Sequence, residues 1–142
     1  MNRVSTYLNF PGNTEEAFHF YEGVFKSKIT SLTRMGDMPR PAGAPDFPAD
    51  VLHKVMNVQL PIVGGHMLMA TDAIESMGHV GKVGNNVTIA LDVDSREEAD
   101  RIYGALAEGS PEGSGMADMP WGAYWGSCED RFGIRWMVSF AS

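Results

Sequence analysis

Four histidines are the side chains of this 142-residue sequence best suited to hold a divalent metal ion: His19, His53, His66 and His79. His53 and His66 lie on the two arms of a predicted hairpin that turns near residues 63–64. Strands rise about 3.3 Å per residue, so an offset of about eight residues puts these two imidazoles roughly 25 Å apart. His19 lies off the apolar stripe of its helix, and His79 lies in a joining loop. The sequence therefore predicts no histidine metal site within one chain, and contact across a dimer stays open.

Acidic side chains cluster where a second helix is predicted to begin. Asp92 and Asp94 flank its start, and Glu97 and Glu98 lie in its first turn. Paired carboxylates can perform general acid and base chemistry, but negative charge near a helix N-terminus is also favoured by the helix dipole. We favour the structural interpretation, both here and for the acidic residues 15–16 of the first helix.

Nucleophilic catalysis has no recognisable motif in this sequence. The single cysteine, Cys128, excludes an intrachain disulfide and is predicted to be a buried, inert thiol. The sequence contains no G-x-S-x-G elbow and no dinucleotide fingerprint, and its glycine-rich residues 109–115 follow a helix, whereas phosphate loops precede one. The sequence supplies no catalytic residue, and it leaves open whether the chain is an enzyme.

Large aromatic side chains near the end of the chain are candidates for ligand contact: Trp121, Tyr124, Trp125 and Trp136. Strand alternation should turn at least one of them toward a cavity, where a flat or apolar ligand could stack. Ten methionines can adapt to irregular apolar shapes, which suits a permissive pocket. Core packing and dimer contact explain the aromatic residues equally well, and methionines more often simply fill a core.

Two strand–helix pairs are predicted to position these side chains, one in residues 4–25 and the other in residues 85–109. Asn13 is the predicted N-cap of the first helix, whose apolar stripe is Ala17, Phe20, Tyr21, Val24 and Phe25. Ser95 is the predicted N-cap of the second helix, whose stripe is Ala99, Ile102, Tyr103 and Leu106. A shift of about 82 positions superimposes these caps and stripes and places Thr6 on Thr88. So many matches without a gap indicate an internal duplication.

Three strand-like segments follow each helix: residues 28–35, 54–60 and 66–71 in the first half, and residues 112–118, 123–129 and 134–140 in the second. The order β-α-β-β-β therefore occurs twice. Residues 36–50 contain four prolines and are predicted to form a long loop, whose role stays open. We expect a single domain over residues 1–142, with module one at 1–71, a linker at 72–84 and module two at 85–142.

Each module would cover only one face of its sheet with its helix, so the other face needs a partner. We expect an α+β fold in which the two modules form a cupped, barrel-like mixed sheet around a cavity.

The composition, with 44% hydrophobic residues, is that of a globular protein, and the net charge of −7 argues against nucleic acid or an anionic membrane as partner. The sequence has no membrane-length apolar run and no signal peptide, so we expect a cytoplasmic location.

Short motifs along nearly the whole chain resemble those of one superfamily. They are Tyr7-Leu8-Asn9-Phe10, Gly12-Asn13, Glu16-Ala17, Phe20-Tyr21, Val24-Phe25, Met67-Leu68-Met69, Trp121-Gly122, Tyr124-Trp125-Gly126 and Asp130-Arg131-Phe132-Gly133-Ile134-Arg135-Trp136. With them the chain resembles the vicinal oxygen chelate superfamily, which contains glyoxalase I, extradiol dioxygenases, and bleomycin and fosfomycin resistance proteins, and within it the PhnB-like branch. The resemblance implies the glyoxalase/bleomycin resistance fold of paired β-α-β-β-β modules and a homodimer. Pairing of modules within one chain and swapping across the dimer both stay open.

Active members of that superfamily carry His and Glu ligands for a divalent metal on the first and fourth strands of each module. By position, these sites fall on Thr6 and Thr88 for the first strands. For the fourth strands they fall near Met69, with Met67 as the alternative, and on Met137. A neutral hydroxyl binds such ions weakly, and thioether sulfur suits soft Cu(I). The resemblance therefore implies this fold with its usual metal centre missing.

We expect a metal-independent protein without a cofactor that binds a small apolar or aromatic molecule in its cavity. The predicted pocket residues are Thr6, Met69, Thr88, Trp125 and Met137. The alternative is a metal-dependent lyase or dioxygenase of the same superfamily with non-standard ligands, such as His53 or His66 with Glu75 from a partner chain. A third possibility is a scaffold without a ligand. Roles in phosphonate metabolism or ubiquinone methylation, which are often attached to PhnB-like proteins, cannot be read from these residues.

Overall fold

The computed structural model describes residues 2–141, which divide into two compact units at Lys82 and Val83, inside the predicted linker. The first unit contains β1 (Thr6–Phe10), α1 (Thr14–Phe25), β2 (Ser31–Arg34), α2 (Ala49–Leu52), β3 (Val55–Pro61) and β4 (Met67–Asp72). The second contains β5 (Ile89–Asp92), α3 (Arg96–Ala107), β6 (Glu112–Gly113), β7 (Ala117–Asp118), β8 (Ala123–Glu129) and β9 (Arg135–Ala141). Between residues 2 and 141, no helix has the length and apolar character needed to cross a bilayer.

The first unit has one mixed sheet with the strand order β1-β4-β3-β2. β1 runs parallel to β4, and the other neighbours are antiparallel. Helix α1 packs on one face, where Leu60 and Leu68 of the sheet are fully buried. Phe18 of α1 makes edge-to-face contacts with Phe10, at 6.5 Å between ring centres, and with Tyr21, at 5.6 Å. Burial of these aromatic rings holds the helix on the sheet.

The predicted apolar stripe of α1 is wrong in part. Phe18, which the prediction omitted, is fully buried, while Phe20 is half-buried and rests tilted on Tyr21. Ala17, Tyr21 and Val24 are buried as predicted. Residues 18 and 20 both flank this line on a helix with 3.6 residues per turn. The helix is turned toward Phe18 because Phe10 of β1 packs against that ring.

The start of α1 is capped by a side chain from β4. Asn13 occupies the predicted N-cap position, but its side chain makes no cap hydrogen bond. Instead, the Thr14 N–H donates to Asp72 Oδ1 over 3.1 Å, and the Val55 N–H donates to Oδ2 of the same carboxylate over 2.8 Å. Asp72 is 5% exposed. One buried carboxylate therefore joins the starts of α1 and β3 to the end of β4.

The second unit has the equivalent strand order, β5-β9-β8-β6, with β7 also paired to β8. β5 is parallel to β9, and α3 covers one face of this sheet. The N-cap of α3 is as predicted, because Ser95 Oγ accepts the Glu98 N–H over 3.1 Å. Trp136 is fully buried, and its indole N–H donates to Asp130 Oδ2 over 2.8 Å in the turn before β9.

The single strand predicted over residues 112–118 is wrong, because the chain forms two short strands there, β6 and β7. The segment between β6 and β7 passes close to Gly126 of β8. A Cβ on Gly126 would lie 2.6 Å from Met116 Sδ and 2.8 Å from the carbonyl oxygen of the residue before Met116. Ser114 and Ser127 bridge the interruption with two hydrogen bonds, since the Ser127 N–H donates to Ser114 Oγ and the Ser114 N–H donates to the Ser127 carbonyl.

The proline-rich segment 36–50 is irregular over most of its length, as predicted, except that its first two residues belong to a short 3₁₀ helix and its last two begin α2. The segment folds back on itself around Arg40. The guanidinium carbon lies 4.0 Å from the ring centre of Phe47, and two of its nitrogens donate to the Pro45 carbonyl over 2.7 and 3.1 Å. This cation–π contact and the hydrogen bonds give the segment a local structure without any strand pairing.

The two units confirm the predicted α+β class with two β-α-β-β-β motifs. The helices α1 and α3 begin 82 residues apart, as predicted, but the strands do not follow this shift. Leu8 and Phe10 of β1 pair with the helix-facing side of β4, and the corresponding residues of β5 are Ile89 and Leu91, 81 positions later. Successive strand residues face opposite sides of a sheet. Thr6 therefore corresponds to the helix-covered face of its sheet, and Thr88, one residue before Ile89, corresponds to the open face of the other. A common origin of the two units stays a prediction.

Candidate functional site

Each sheet has a face that its helix covers and a face that it leaves open. Along β4, Leu68 and Ala70 are buried beneath α1, and Met69 and Thr71 alternate with them on the other side. The same alternation separates buried Trp136 of β9 from its neighbours in the second unit. The open faces present the side chains that the two cores do not use.

The open face of the first sheet combines thioether, amide, hydroxyl and phenol groups. Its members include Tyr7, Asn9, Asn57, Gln59, Met67, Met69 and Thr71. Tyr7 pairs directly with Met69 across β1 and β4, and Gln59 pairs with Met69 across β3 and β4. The Gln59 amide donates to Asn57 Oδ1 over 3.4 Å. This face can contact an apolar surface and also donate and accept hydrogen bonds.

Thr6 does not belong to this face. It pairs with Leu68, so it lies on the side that α1 covers, and it is Tyr7 that stands opposite Met69. The Thr6 hydroxyl and His66 Nε2 are hydrogen-bonded at 2.8 Å. His66 itself lies opposite Ile62, whose N–H donates to the His66 carbonyl, in agreement with the predicted hairpin. The Thr6 hydroxyl is therefore engaged within the first unit.

The open face of the second sheet changes character along its length. Its members include Ala90, Asp92, Trp125, Ser127, Glu129, Arg135, Met137 and Ser139. At one end, Arg135 forms ion pairs of 3.6 Å with both Glu129 and Glu112. In the middle, Met137 lies between Ala90 and Ser127. The face is thus charged at one end and dominated by a thioether at its centre.

Two tryptophans stand at the other end of the second open face. Trp125 lies in β8, and Trp121, in the turn before β8, meets it edge to face at 6.1 Å between ring centres. Trp121 is 66% exposed. Thr88 precedes β5 by one residue and is exposed. Of the predicted pocket residues in this unit, Trp125 and Met137 therefore share the open face, and Thr88 lies next to the start of β5.

The positions where the superfamily carries metal ligands do not fit a divalent ion in this chain. Thr6 is bonded to His66, and Met69 and Met137 offer neutral thioether sulfurs. Within residues 2–141, no three or more His, Cys, Asp or Glu side chains come together in a group that could hold a metal. His53, which the alternative interpretation used as a metal ligand, directly follows α2, and its carbonyl accepts a hydrogen bond from the Arg34 guanidinium.

One acidic residue at each of the two helix starts makes structural contacts. Glu98 pairs with Arg101 one turn along α3, at 2.5 Å between Oε1 and Nη2. Glu15 of α1 receives two hydrogen bonds from Arg34 of β2, over 2.9 and 3.0 Å. The hydrogen bond from the Arg34 guanidinium holds the pKa of the Glu15 carboxyl below its ordinary value. These contacts favour the structural interpretation of the acidic clusters.

Cys128 is buried, as predicted. Burial raises the pKa of its thiol to about 11, and the nearby Asp130 carboxylate acts in the same direction. At neutral pH the sulfur is therefore protonated, and a thiol is a far weaker nucleophile than a thiolate. Cys128 packs as a small apolar side chain on the covered face of β8.

A family model described as 3-demethylubiquinone-9 3-methyltransferase matches residues 2–139. The chain belongs to this family. Three relatives of this PhnB-like chain span nearly its whole length. Protein PA1353 from Pseudomonas aeruginosa is 33% identical, with a TM-score of 0.83 and coverage of 99% of this chain and 98% of that one. A putative 3-demethylubiquinone-9 3-methyltransferase, PhnB protein, from Bacillus cereus is 22% identical, with a TM-score of 0.75 and coverage of 99% and 100%. Protein YjdN from Escherichia coli (strain K12) is 26% identical over 96% of this chain and 93% of its own length.

More distant structures establish the fold of this PhnB-like chain. A glyoxalase/bleomycin resistance protein/dioxygenase domain from Frankia sp. EAN1pec is 12% identical, with a TM-score of 0.62 and coverage of 100% of this chain and 93% of that one. Likeness at such low identity shows the fold and carries no chemistry with it. The predicted resemblance is confirmed, because the chain has the glyoxalase/bleomycin resistance fold of the vicinal oxygen chelate superfamily.

Proposed function

We propose that this PhnB-like protein binds a small apolar or aromatic molecule at the open faces of its sheets and needs no metal ion to do so. The observation that carries the proposal is the strand register. It pairs Met69 with Tyr7 on one open face and Met137 with Ser127 on the other. A thioether therefore occupies an inner strand of each open face, flanked by a group that can stack or form hydrogen bonds.

The neighbouring side chains support an apolar or aromatic ligand with a few polar groups. A methionine side chain is flexible and polarizable, so it contacts irregular apolar shapes and the edges of aromatic rings. Trp125 and the exposed Trp121 add a large aromatic surface at one end of the second face. The Gln59 and Asn57 amides on the first face can orient a ligand through hydrogen bonds.

Donor chemistry supports the metal-independent part of the proposal. Thioethers are soft, neutral ligands, and the Thr6 hydroxyl is already bonded to His66. The alternative, a lyase or dioxygenase with unusual ligands, predicts instead a tightly held ion and an activity that a chelator removes. A homodimer remains part of the proposal, carried by the family resemblance.

The ligand proposal is tested with indole as an aromatic probe, titrated into the full chain and followed by protein NMR. Met69→Gln and Met137→Gln keep the side-chain length and replace the thioether with an amide. Each is expected to weaken indole binding at least fivefold. Met77→Gln is the matched control, because Met77 is 52% exposed and lies outside both sheets. Equal binding by all three variants, or no binding of indole by the unaltered protein, would contradict the proposal.

The metal and assembly parts are tested together by native mass spectrometry. Freshly purified protein is examined before and after incubation with Zn²⁺, Ni²⁺, Mn²⁺ and Fe²⁺ followed by dialysis. We expect the mass of a dimer with no retained ion. One tightly held ion per chain would favour the metal-dependent alternative, and His53→Ala and His66→Ala would then show which histidines hold it.

A further inference from the structure

A pocket of about 340 Å³ lies within the first unit, apart from the open face of its sheet. It sits at the carboxyl ends of the parallel strands β1 and β4, since its lining includes Pro11, just after β1, and Ala73, just after β4. Val51 of α2 and Ile74 add apolar surface. Its volume falls at the lower end of the roughly 300 to 1,000 Å³ range of ligand pockets, so its occupant would be small. The proposed function does not use this pocket.

Charged groups of both signs line this pocket. Lys54 contributes an ammonium, and Asp50 and Glu75 contribute carboxylates. Lys54 is half-buried, yet its ammonium has no carboxylate within ion-pair distance among residues 2–141. A half-buried charge without a partner loses part of its hydration and gains no ion pair in return. An anionic group entering the pocket would supply that partner.

The fold holds Lys54 in place. Its N–H donates to the Val51 carbonyl over 3.0 Å, and its own carbonyl accepts the Met35 N–H over 2.8 Å. The next residue, Val55, is bonded to the buried Asp72 carboxylate. The Lys54 ammonium lies 3.1 Å from the position that a Cβ on Gly12 would occupy, so it rests directly on the turn before α1. The Lys54 backbone is therefore fixed, and its ammonium lies against the turn before α1.

We infer that this pocket is a second binding site, specific for a small zwitterion such as a free amino acid. Its acid group would bind Lys54, its ammonium would bind Asp50 or Glu75, and a short aliphatic body would contact Val51 and Ile74. A simple anion would meet two carboxylates, and a simple amine would meet the lysine, whereas a zwitterion satisfies both sets of charges.

The experiment uses the full chain and calorimetric titration with three probes: L-alanine, L-valine and 4-aminobutyrate. The probe that binds best is compared with its two counterparts that lack either the amino or the acid group. We expect each counterpart to bind at least tenfold more weakly. If none of the three probes binds with a Kd below about 10 mM, or if a counterpart binds equally well, the inference is wrong.

Two variants locate the site. Lys54→Met is expected to weaken binding of the best probe at least tenfold, while Lys28→Met, at an exposed lysine outside the pocket, leaves it unchanged. Glu75→Gln, at an exposed position in the lining of the pocket, is expected to weaken binding of the best probe at least threefold. Met69→Gln should leave amino-acid binding intact, so failure of the open-face proposal is distinguishable from failure here. Equal binding by the Lys54 and Lys28 variants would overturn the assignment.

Discussion

Replacing Asp72 by alanine is expected to destabilise the first unit more than any exposed acidic substitution. The Asp72 carboxylate is the acceptor for the backbone N–H groups of Thr14 and Val55, at 3.1 and 2.8 Å, and it is 5% exposed. Asp72→Ala removes both acceptors and leaves two N–H groups unpaired beneath the sheet. Asp72→Asn keeps one oxygen, so one N–H retains its acceptor while the other faces the amide nitrogen.

The size of the loss follows from the desolvation of these groups. Each buried donor left without a partner costs about 1 to 3 kcal/mol, so Asp72→Ala should lower the free energy of unfolding by about 2 to 6 kcal/mol. With a urea m-value of about 2 kcal/mol/M, the lower bound already shifts the unfolding midpoint by about 1 M. Asp72→Asn should lose about half as much.

The assay is urea unfolding followed by far-UV circular dichroism, combined with hydrogen exchange of the Thr14 and Val55 amides. The matched control is Asp46→Ala, because Asp46 is exposed in the same unit. We expect both amides to exchange faster in Asp72→Ala and to be unchanged in the control. If Asp72→Ala and Asp46→Ala unfold at the same urea concentration, the carboxylate does not contribute to stability through these two bonds, and the reasoning is refuted.

Two further predictions concern a close approach and an ionised pair. Gly126→Ala would place a Cβ 2.6 Å from Met116 Sδ and is expected to lower the free energy of unfolding by about 1 to 3 kcal/mol. Gly104→Ala, with open space around it in α3, should raise the free energy of unfolding by about 0.5 to 1 kcal/mol. Thermal unfolding that ranks the two variants the other way would contradict this prediction. The hydrogen bond that the His19 ring N–H donates to the Glu22 carboxylate raises the pKa of His19. This pair's contribution to stability is therefore full below pH about 6.5 and is lost as pH rises through the folded pKa. An NMR titration should show the His19 pKa falling in Glu22→Gln, and an unchanged value would count against the pair.

Local signals in the sequence were sufficient for much of the fold. The serine at the start of α3 and the glutamate three positions later predicted a cap that the structure contains, because a cap joins residues that are close in the chain. The start of α1 has the same local pattern at Asn13, yet the acceptor comes from Asp72, 58 residues beyond Thr14. Only the pairing of β1 with β4 brings that carboxylate to the helix. No spacing rule within the first 25 residues could have identified it.

The candidate site was harder to predict than the fold because it depends on which way each strand residue faces. A repeat shift of 82 aligns the starts of α1 and α3. A helix would tolerate even a one-residue error in this shift, because a rotation of about 100° leaves part of its buried stripe in place. A strand has no such tolerance, because one residue of slip exchanges its two faces. The resemblance placed the first-strand site on Thr6 and Thr88, 82 positions apart, whereas the strand register has Tyr7 opposite Met69. Met69 and Met137, which the resemblance placed on the fourth strands, lie on the open faces of β4 and β9. Strand faces should therefore be assigned from alternation within each strand before a repeat is used to transfer a site from one module to the other.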